Sequence, residues 1–223
     1  MKRVKVKEIL NALDERYGTD ERCFLSYREP HELLVATIMS AQCTDDRVNM
    51  VSKELFKKYR TVSDFANADL KTLEEEIHSV GFYHMKAVHI IDACRMLISD
   101  FDGKVPSDID DLTKLPGVGR KTANVVRGHI FHIPSIVVDT HVKRVAKRLG
   151  LTGETDPEKV EYDLEKKIPK DHRILINLQL ISFGREICHS KRPDCENCFL
   201  AKYCSSYSAS LGSGTSISTV KVP

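Results

Sequence analysis

The stretch Leu115-Pro-Gly-Val-Gly-Arg-Lys-Thr-Ala-Asn-Val-Val126 places two glycines around one valine, with two cations directly behind them. It is not a Walker loop, because Arg120 stands where a glycine must precede the lysine, and Thr122 replaces the third glycine of a dinucleotide fingerprint. The pattern instead predicts two helices joined by a tight turn. In such a turn, Gly117 and Gly119 leave backbone N–H groups at the start of the second helix to bind an anion, for which a DNA phosphate is the natural choice. The alternative is an ordinary turn between helices that binds nothing.

Positive charge is concentrated on the same part of the chain. The whole sequence has 34 Lys and Arg against 32 Asp and Glu, so its net charge of +2 does not by itself indicate a nucleic-acid binder. Between Lys114 and Arg148, however, there are eight basic residues and a single acid, Asp139. A solvated helix face is the usual explanation of a charged run. Because this run includes the hairpin, we interpret it as a surface for nucleic acid.

Length and composition exclude several classes of protein. The chain has 223 residues, of which 41% are hydrophobic and 30% charged, and these proportions exclude a disordered polymer and an integral membrane protein. No apolar run approaches the ~20 residues that span a bilayer, and the basic N-terminus lacks the apolar segment of a signal peptide. The cytoplasm is therefore the expected location, and its reducing conditions keep thiols free.

Apolar residues recur with helical spacing along nearly the whole chain. One stripe runs through residues 87–101, and another segment begins at Asp156-Pro157 and is stopped by Pro169. Residues 33–41 are apolar on every side, which predicts a helix buried inside a bundle. No alternating strand with turn residues at its ends occurs. The sequence therefore predicts an all-α protein of about ten helices.

Four of the seven cysteines form a C-x6-C-x2-C-x5-C pattern, made by Cys188, Cys195, Cys198 and Cys204. Two thiolates separated by two residues can hold one metal centre, and the outer pair closes around it from the flanking chain. A structural zinc site usually combines two C-x2-C pairs, whereas this segment has one. A [4Fe–4S] cluster needs four thiolates. We therefore favour a [4Fe–4S] cluster at the four cysteines. A zinc site is the alternative, and disulfide bonds are a distant third interpretation.

Three further stretches accompany the glycine hairpin and the cysteine quartet: Ser40–Asn49 (SAQCTDDRVN), Val80–Ala87 (VGFYHMKA) and Val138–Val145 (VDTHVKRV). Together these motifs make the chain resemble the endonuclease III branch of the helix–hairpin–helix DNA glycosylases, from about Lys7 to Tyr203. The combination is highly specific, whereas any one of the motifs alone would be weaker.

The resemblance implies two helical lobes. One lobe, residues 23–133, contains the helix–hairpin–helix, and the other, residues 1–22 plus 134–204, contains the C-terminal loop that holds the [4Fe–4S] cluster. Residues 205–223 are rich in Ser and Gly, which predicts a flexible tail outside the fold.

The resemblance also implies a bifunctional DNA glycosylase and abasic-site lyase for oxidised pyrimidines, with Lys121 as nucleophile and Asp139 as its carboxylate partner. A lysine attacks a sugar carbon only as the neutral amine. The sequence predicts Lys121 in the first turn of a helix and next to Arg120, and both are settings that disfavour an ammonium. At the start of the following helix, the carboxylate of Asp139 can stabilise positive charge on the deoxyribose. A phosphate clamp at Lys121 and a simple N-cap at Asp139 are the alternatives.

Further DNA contacts follow from the same resemblance. Gln42 and Phe82 are expected to fill the gap left by a base flipped out of the duplex. Phe82 is a departure from the family, which more often has leucine there, and core packing is the alternative for its ring. Phosphate contacts are expected from His141, Lys191 and Arg192. The expected partner is double-stranded DNA with damaged bases or abasic sites, bound by a monomer near the nucleoid.

Related enzymes are the nearest alternatives. The adenine-mismatch glycosylases share the hairpin and the quartet, but they usually lack the lysine and carry an extra C-terminal domain. The thymine-mismatch glycosylases keep the carboxylate without the lysine. A DNA-binding or redox-sensing module without catalysis belongs to a different class. The presence of Lys121 disfavours both kinds of mismatch glycosylase, and the presence of both Lys121 and Asp139 disfavours the non-catalytic module.

Overall fold

The helical periodicity of the sequence is realised in a computed structural model, which describes residues 5–213 and contains no strand within them. The all-α fold class is confirmed. The described chain forms twelve α-helices, with bounds as follows: α1 Val6–Tyr17, α2 Pro30–Ser40, α3 Asp45–Lys58, α4 Val62–Ala66, α5 Leu70–Ile77, α6 Tyr83–Asp100, α7 Ile109–Lys114, α8 Arg120–Phe131, α9 Thr140–Leu149, α10 Pro157–Lys167, α11 Arg173–Glu186 and α12 Ser205–Ser213. Short 3-10 turns occupy His78–Val80, Lys170–His172 and Ala201–Tyr203.

Side chains of Asp and Thr begin many of these helices. Asp69, Asp139 and Asp156 each accept a hydrogen bond from a backbone N–H in the first turn of α5, α9 and α10. Helix α7 is capped in the same way by Asp108. The carboxylate of Asp108 accepts from two backbone N–H groups of α7.

Residues Arg22–Ile133 form one compact unit, which contains α2 to α8. Helix α2 lies at its centre, with every residue from His31 to Met39 buried. The burial predicted for residues 33–41 is confirmed for residues 33–39, whereas Ser40 is half-buried and Ala41 is exposed after the helix end. The stripe on α6 buries Ile90, Ile91 and Leu97 against the same core. These two helices therefore position the loops that leave their ends.

The second unit consists of Met1–Glu21 and Pro134–Pro223, of which residues 5–21 and 134–213 are described. Helix α11 is its buried centre, and α1 is tied to it by polar contacts. The phenol of Tyr17 donates to Glu186 across 2.7 Å, and Gln179 donates to Asp14 across 2.8 Å. The N-terminal helix is thus held by residues more than 150 positions away in sequence.

The residues after Cys204 differ from the sequence prediction. A flexible tail was expected from Ser205, but Ser205–Ser213 form α12, so the prediction is wrong for these residues. The Ser205 hydroxyl donates to the carbonyl of Leu149 across 3.2 Å, and the Ser210 hydroxyl donates to Tyr207 within the helix across 2.8 Å. These bonds satisfy serine hydroxyls that would otherwise favour a turn or coil. Residues 214–223 lie outside the described residues.

Among the described helices, none is both long enough and apolar enough to cross a membrane.

Candidate functional site

The glycine turn joins α7 to α8 as the sequence predicts. Its backbone closes on itself, because the N–H of Val118 donates to the carbonyl of Leu115 across 3.0 Å. Gly117 has a φ of +76°, and a Cβ at this position would lie 2.9 Å from the Cβ and Nδ1 of His89. Glycine is therefore required at residue 117 for two independent reasons, its backbone conformation and the close approach of His89.

Gly119 has a different role. Its φ of −90° is open to any residue, and a Cβ here would meet nothing within 4 Å. Gly119 is the N-cap of α8, and no side chain caps this helix end. The first-turn N–H groups of α8 therefore face a space that an anion can approach closely.

Lys121 is the second residue of α8 and is exposed. Its neighbour Arg120 opens the helix and is half-buried. The structure thus places a primary amine on the first helical turn, directly behind the uncapped glycine turn.

Gln42 and Phe82 share an unusual backbone conformation. Their φ values are +54° and +49°, in the left-handed region that favours glycine, and both residues are exposed. Phe82 leaves 68% of its surface open, so core packing does not explain its ring. A bulky residue in this region is a true outlier and marks a functional constraint, because the surrounding structure must hold it there.

Asp139 follows an extended segment that a buried amide holds in place. Asn177 on α11 accepts from the N–H of Val137 across 3.0 Å and donates to the carbonyl of Ser135 across 3.3 Å. Asp139 then caps α9, with its Oδ1 accepting from the N–H of Val142 across 2.7 Å. The N-cap interpretation is therefore confirmed, and it is compatible with a catalytic role. Nothing in the sequence indicates that Asn177 holds this segment.

His141 lies on α9, two residues after Asp139, and is half-buried against α11. Its Nδ1 is 3.2 Å from Nη2 of Arg144. Burial lowers the pKa of His141, and the nearby carboxylate of Asp139 opposes that shift. Gly184 allows this close packing, since a Cβ there would lie 2.8 Å from Nδ1 of His141.

The four cysteines of the quartet line one pocket. All four are free thiols, and Cys188 is buried. Burial raises the pKa of Cys198 to about 11 and also raises the pKa of Cys195 and Cys204. Within residues 5–213 no group of three His, Cys, Asp or Glu side chains is arranged to hold a single metal ion. The structure shows four thiols around one pocket.

Two arginines of the basic stretch point into the protein. Arg148 is buried and donates to the carbonyls of His189 and Ser190 across 2.6 and 3.0 Å. Arg144 donates to the carbonyls of Gly184 and Cys188, each across 3.0 Å. The expectation that the whole stretch forms a nucleic-acid surface is therefore wrong for these two residues. Their i, i+4 spacing on α9 was the available signal that they share one helix face.

Other basic residues of the stretch are also engaged. Lys114 is exposed and forms an ion pair with Asp111, at 2.7 Å. Arg127 is half-buried, and its Nη1 donates to Asn124 across 3.3 Å.

The loop from Cys188 to Cys195 presents two cations outward. Lys191 and Arg192 are both exposed, and Arg192 has a φ of +51°. The loop is closed by a backbone bond from the N–H of Asp194 to the carbonyl of Ile187, across 3.0 Å. The bonds from Arg148 and Arg144 reach the start of this same loop.

Comparison with known proteins gives the class to which this fold and hairpin belong. Residues 35–170 match the family model of the HhH-GPD superfamily base excision DNA repair protein. Endonuclease III of Synechocystis sp. is 47% identical over 210 residues, covering 94% of this chain and 95% of that protein. Endonuclease III of Bacillus subtilis is 46% identical over 82% of this chain and 84% of its own length.

A solved structure shows the same likeness. The structure of a trapped covalent intermediate between endonuclease III and DNA is 44% identical in sequence to this chain. It superposes with a TM-score of 0.85 over 94% of this chain and 100% of the other. The chain therefore belongs to the endonuclease III family and is a base excision DNA repair enzyme. The resemblance seen in the sequence motifs is confirmed.

Proposed function

We propose that this enzyme is a bifunctional DNA glycosylase and abasic-site lyase that removes oxidised pyrimidines from double-stranded DNA as a monomer. The observation that carries the proposal is the exposed amine of Lys121 on the first turn of α8, behind a helix end that no side chain caps. A helix N-terminus attracts the phosphate of DNA and disfavours an ammonium. The same helix end can thus bind a phosphate of the DNA backbone beside the amine of Lys121.

The reaction uses the lone pair of the Lys121 amine. It attacks C1′ of the damaged nucleotide while the base departs with the electron pair of the glycosidic bond. Loss of a proton from the nitrogen and opening of the sugar ring give an imine. Removal of a C2′ proton then expels the 3′ phosphate by β-elimination and nicks the strand. An endonuclease III 44% identical to this chain has been trapped as a covalent intermediate with DNA, which supports covalent catalysis here.

We assign the carboxylate of Asp139 to charge stabilisation. It lies at the N-terminus of α9, where the helix dipole interacts favourably with an anion. The extended segment held by Asn177 fixes the direction from which Asp139 enters that helix. An anion held in this way stabilises the positive charge that develops on the deoxyribose as the base leaves.

DNA recognition is divided among the remaining site residues. The turn of Gly117 and Gly119, followed by Arg120, is proposed to hold one phosphate.

Gln42 and Phe82 enter the space left by the flipped nucleotide, and their exposed left-handed conformations support this role. His141, Lys191 and Arg192 are the proposed phosphate contacts at α9 and at the cysteine loop.

A [4Fe–4S] cluster is the proposed occupant of the cavity lined by Cys188, Cys195, Cys198 and Cys204. The residues fit, because four free thiols face one void, and Cys₄ is the ligand set that such clusters require. Bound iron would keep these thiols deprotonated and hold the shape of the loop. The loop itself presents Lys191 and Arg192 outward, and that is its contribution to DNA binding. Seven free cysteines fit a reducing compartment, so we propose that the enzyme works in the cytoplasm.

Borohydride reduction tests the lysine directly. The imine between Lys121 and DNA is reduced to a stable adduct, which is counted on a denaturing gel with a thymine-glycol duplex and an abasic duplex. We expect an adduct with the wild type and none with Lys121→Ala. Lys114→Ala is the matched control, because this lysine lies on α7 at the other side of the turn and is exposed. An adduct that persists in Lys121→Ala, or a wild type that forms none, contradicts the proposal.

A further inference from the structure

Lys86 is a buried cation that the sequence motifs do not explain. It lies on α6 and is only 4% exposed, yet no carboxylate pairs with its ammonium in the part of the chain described. Its Nζ donates to two backbone carbonyls instead, that of Met39 across 2.8 Å and that of Val80 across 2.7 Å. Burial lowers the pKa of Lys86, while the nearby Cys43 opposes the shift.

The two carbonyls end two different helices. Met39 is in the last turn of α2, and Val80 is the last residue of the 3-10 turn after α5. Carbonyls at helix ends have no partner within their own helix, so a buried ammonium is a suitable donor for them. One side chain thus joins the ends of two separate helices.

Each of these helix ends leads directly into one of the two left-handed residues. Gln42 follows Met39 by three positions, and Phe82 follows Val80 by two. A non-glycine residue in this region is strained and persists only where the surrounding structure holds it there. Phe82 is too exposed to hold itself by packing. The constraint must come from the chain below each loop, where Lys86 donates its hydrogen bonds.

We infer that Lys86 is a positioning residue that fixes the loops of Gln42 and Phe82 in position relative to one another, so that both side chains enter the duplex together. The inference rests on the proposed function for what the loops do. The holding itself rests only on the two hydrogen bonds and the two left-handed residues. A lysine that merely stabilised the core would have no selective effect on these loops.

The test has one arm without DNA. Hydrogen exchange of the peptides that span residues 40–44 and 81–84 is compared in the full-length wild type and in Lys86→Met, which keeps the apolar stem and removes the donors. We expect exchange to rise about tenfold or more at both loops together, the effect of losing hydrogen bonds from a charged donor. Ile91→Ala is the control, since it destabilises the same helix without contact to the carbonyls. Lys86→Gln, whose amide can donate two hydrogen bonds, should recover part of the protection.

The second arm uses DNA. The fluorescence of 2-aminopurine next to a thymine glycol reports base flipping in a duplex, and incision of an abasic site in single-stranded DNA reports the lyase without an intact stack. Lys86→Met should slow base flipping in the duplex about tenfold, because both loops have to enter the duplex. Incision of single-stranded DNA needs no such entry, so its rate should stay within about twofold of the wild type. Ile91→Ala should leave both rates within about twofold of the wild type.

Wild-type exchange at either loop in Lys86→Met, or flipping as fast as in Ile91→Ala, would overturn the inference. Equal loss of both DNA reactions in the folded variant would also overturn it, because the lysine would then act beyond the loops. If the wild type itself neither flips nor incises, the proposed function fails. The exchange arm then decides by itself whether Lys86 holds the two loops.

Discussion

Arg148 donates a hydrogen bond to the Sγ of Cys188 across 3.4 Å, so a cation of α9 contacts the first thiol of the quartet directly. The same guanidinium holds the two carbonyls that follow Cys188. Helix α9 begins at Thr140, directly after its N-cap Asp139, and Arg144 and Arg148 lie about one and two turns after Thr140. One helix therefore connects the proposed catalytic carboxylate to the loop that carries Lys191 and Arg192. The helix that Asp139 caps is therefore also the helix that holds the start of the cysteine loop.

Replacing Arg148 by methionine should release the cysteine loop. The change removes the donors to the carbonyls of His189 and Ser190 and to Cys188, so we expect the free energy of unfolding to fall by at least about 2 kcal/mol. Iron per chain in the purified protein should fall as well. Both are measured by denaturant unfolding and by metal analysis. Lys147→Met, on the same helix, should leave both unchanged, and an iron-replete Arg148→Met variant would contradict this role.

The two hairpin glycines should separate stability from DNA binding. Gly117→Ala should cost about 1–3 kcal/mol, because it combines a left-handed φ with a Cβ 2.9 Å from His89. Gly119→Ala should cost less than about 1 kcal/mol, the scale of an N-cap change. It should nevertheless weaken binding of duplex DNA, because its new methyl group projects into the space proposed for phosphate.

Unfolding in denaturant and DNA affinity at two salt concentrations distinguish these effects. The pattern fails if Gly119→Ala binds DNA as tightly as the wild type, or if the two variants are equally destabilised.

The sequence predicts the burial of an apolar helix well. It does not predict whether a basic side chain points to solvent or into the protein. Residues 33–41 predict a buried helix because apolar side chains on every side leave no face for water, and α2 is buried as expected. Arg148 and Lys86 appear in the sequence only as positive charges. Whether such a charge meets solvent or a helix-end carbonyl depends on which helix packs beside it, and this is set by tertiary structure.

In the candidate site, too, some features follow from residue type alone, and others depend on tertiary contacts. The glycine turn, its φ of +76° at Gly117 and the quartet are local features that residue type encodes. The left-handed conformation of Phe82 is not encoded locally, since phenylalanine by itself avoids that region. Helix α12 was also missed, because serine and glycine favour coil unless tertiary contacts such as that of Ser205 with Leu149 intervene.

Asp139→Asn and Asp139→Ala should separate capping from catalysis. The amide oxygen of asparagine can still accept from the N–H of Val142, so Asp139→Asn should change stability by less than about 0.5 kcal/mol, whereas the alanine variant loses about 1 kcal/mol. Both lose the negative charge, so both should lose base excision by about 100-fold or more. Unfolding and single-turnover excision measure the two effects. Full excision by Asp139→Asn would reduce Asp139 to a simple cap.

The stability of the protein should depend on pH through His129. Burial lowers the pKa of His129, and the neighbouring His132 lowers it further, from an ordinary value of 6.5. The unfolded chain therefore binds this proton more readily than the folded chain. The contribution of His129 is fully present above pH 6.5 and falls as the pH drops from there through the lower folded pKa.

Unfolding free energies at about pH 7.5 and about pH 5.5 test this, since histidine titrates between them. His129→Gln cannot titrate, so its stability should fall less between the two pH values than that of the wild type. His78→Gln changes an exposed histidine and is the control, which should keep the wild-type difference. An unchanged difference in His129→Gln is the contrary result.

Phe82 should show a conflict between stability and function. Its left-handed φ of +49° strains the backbone, and its 68% exposed ring contributes little packing. Phe82→Gly should therefore be more stable than Phe82→Ala by about 1 kcal/mol, because glycine adopts this conformation without strain. Both variants lack the ring and should excise a thymine glycol from duplex DNA about tenfold more slowly, the scale of one base–aromatic stack.

Met85→Ala provides the control for the loss of an exposed apolar side chain, since Met85 is 57% exposed on the first turn of α6. We expect it to keep both stability and duplex excision. The decisive comparison is between the glycine and alanine variants, measured by denaturant unfolding and by single-turnover excision. If the glycine variant gains stability while excision falls equally in both, the strained backbone is maintained for the ring that it presents to DNA. If Phe82→Ala excises as fast as the wild type, the ring has no part in opening the duplex.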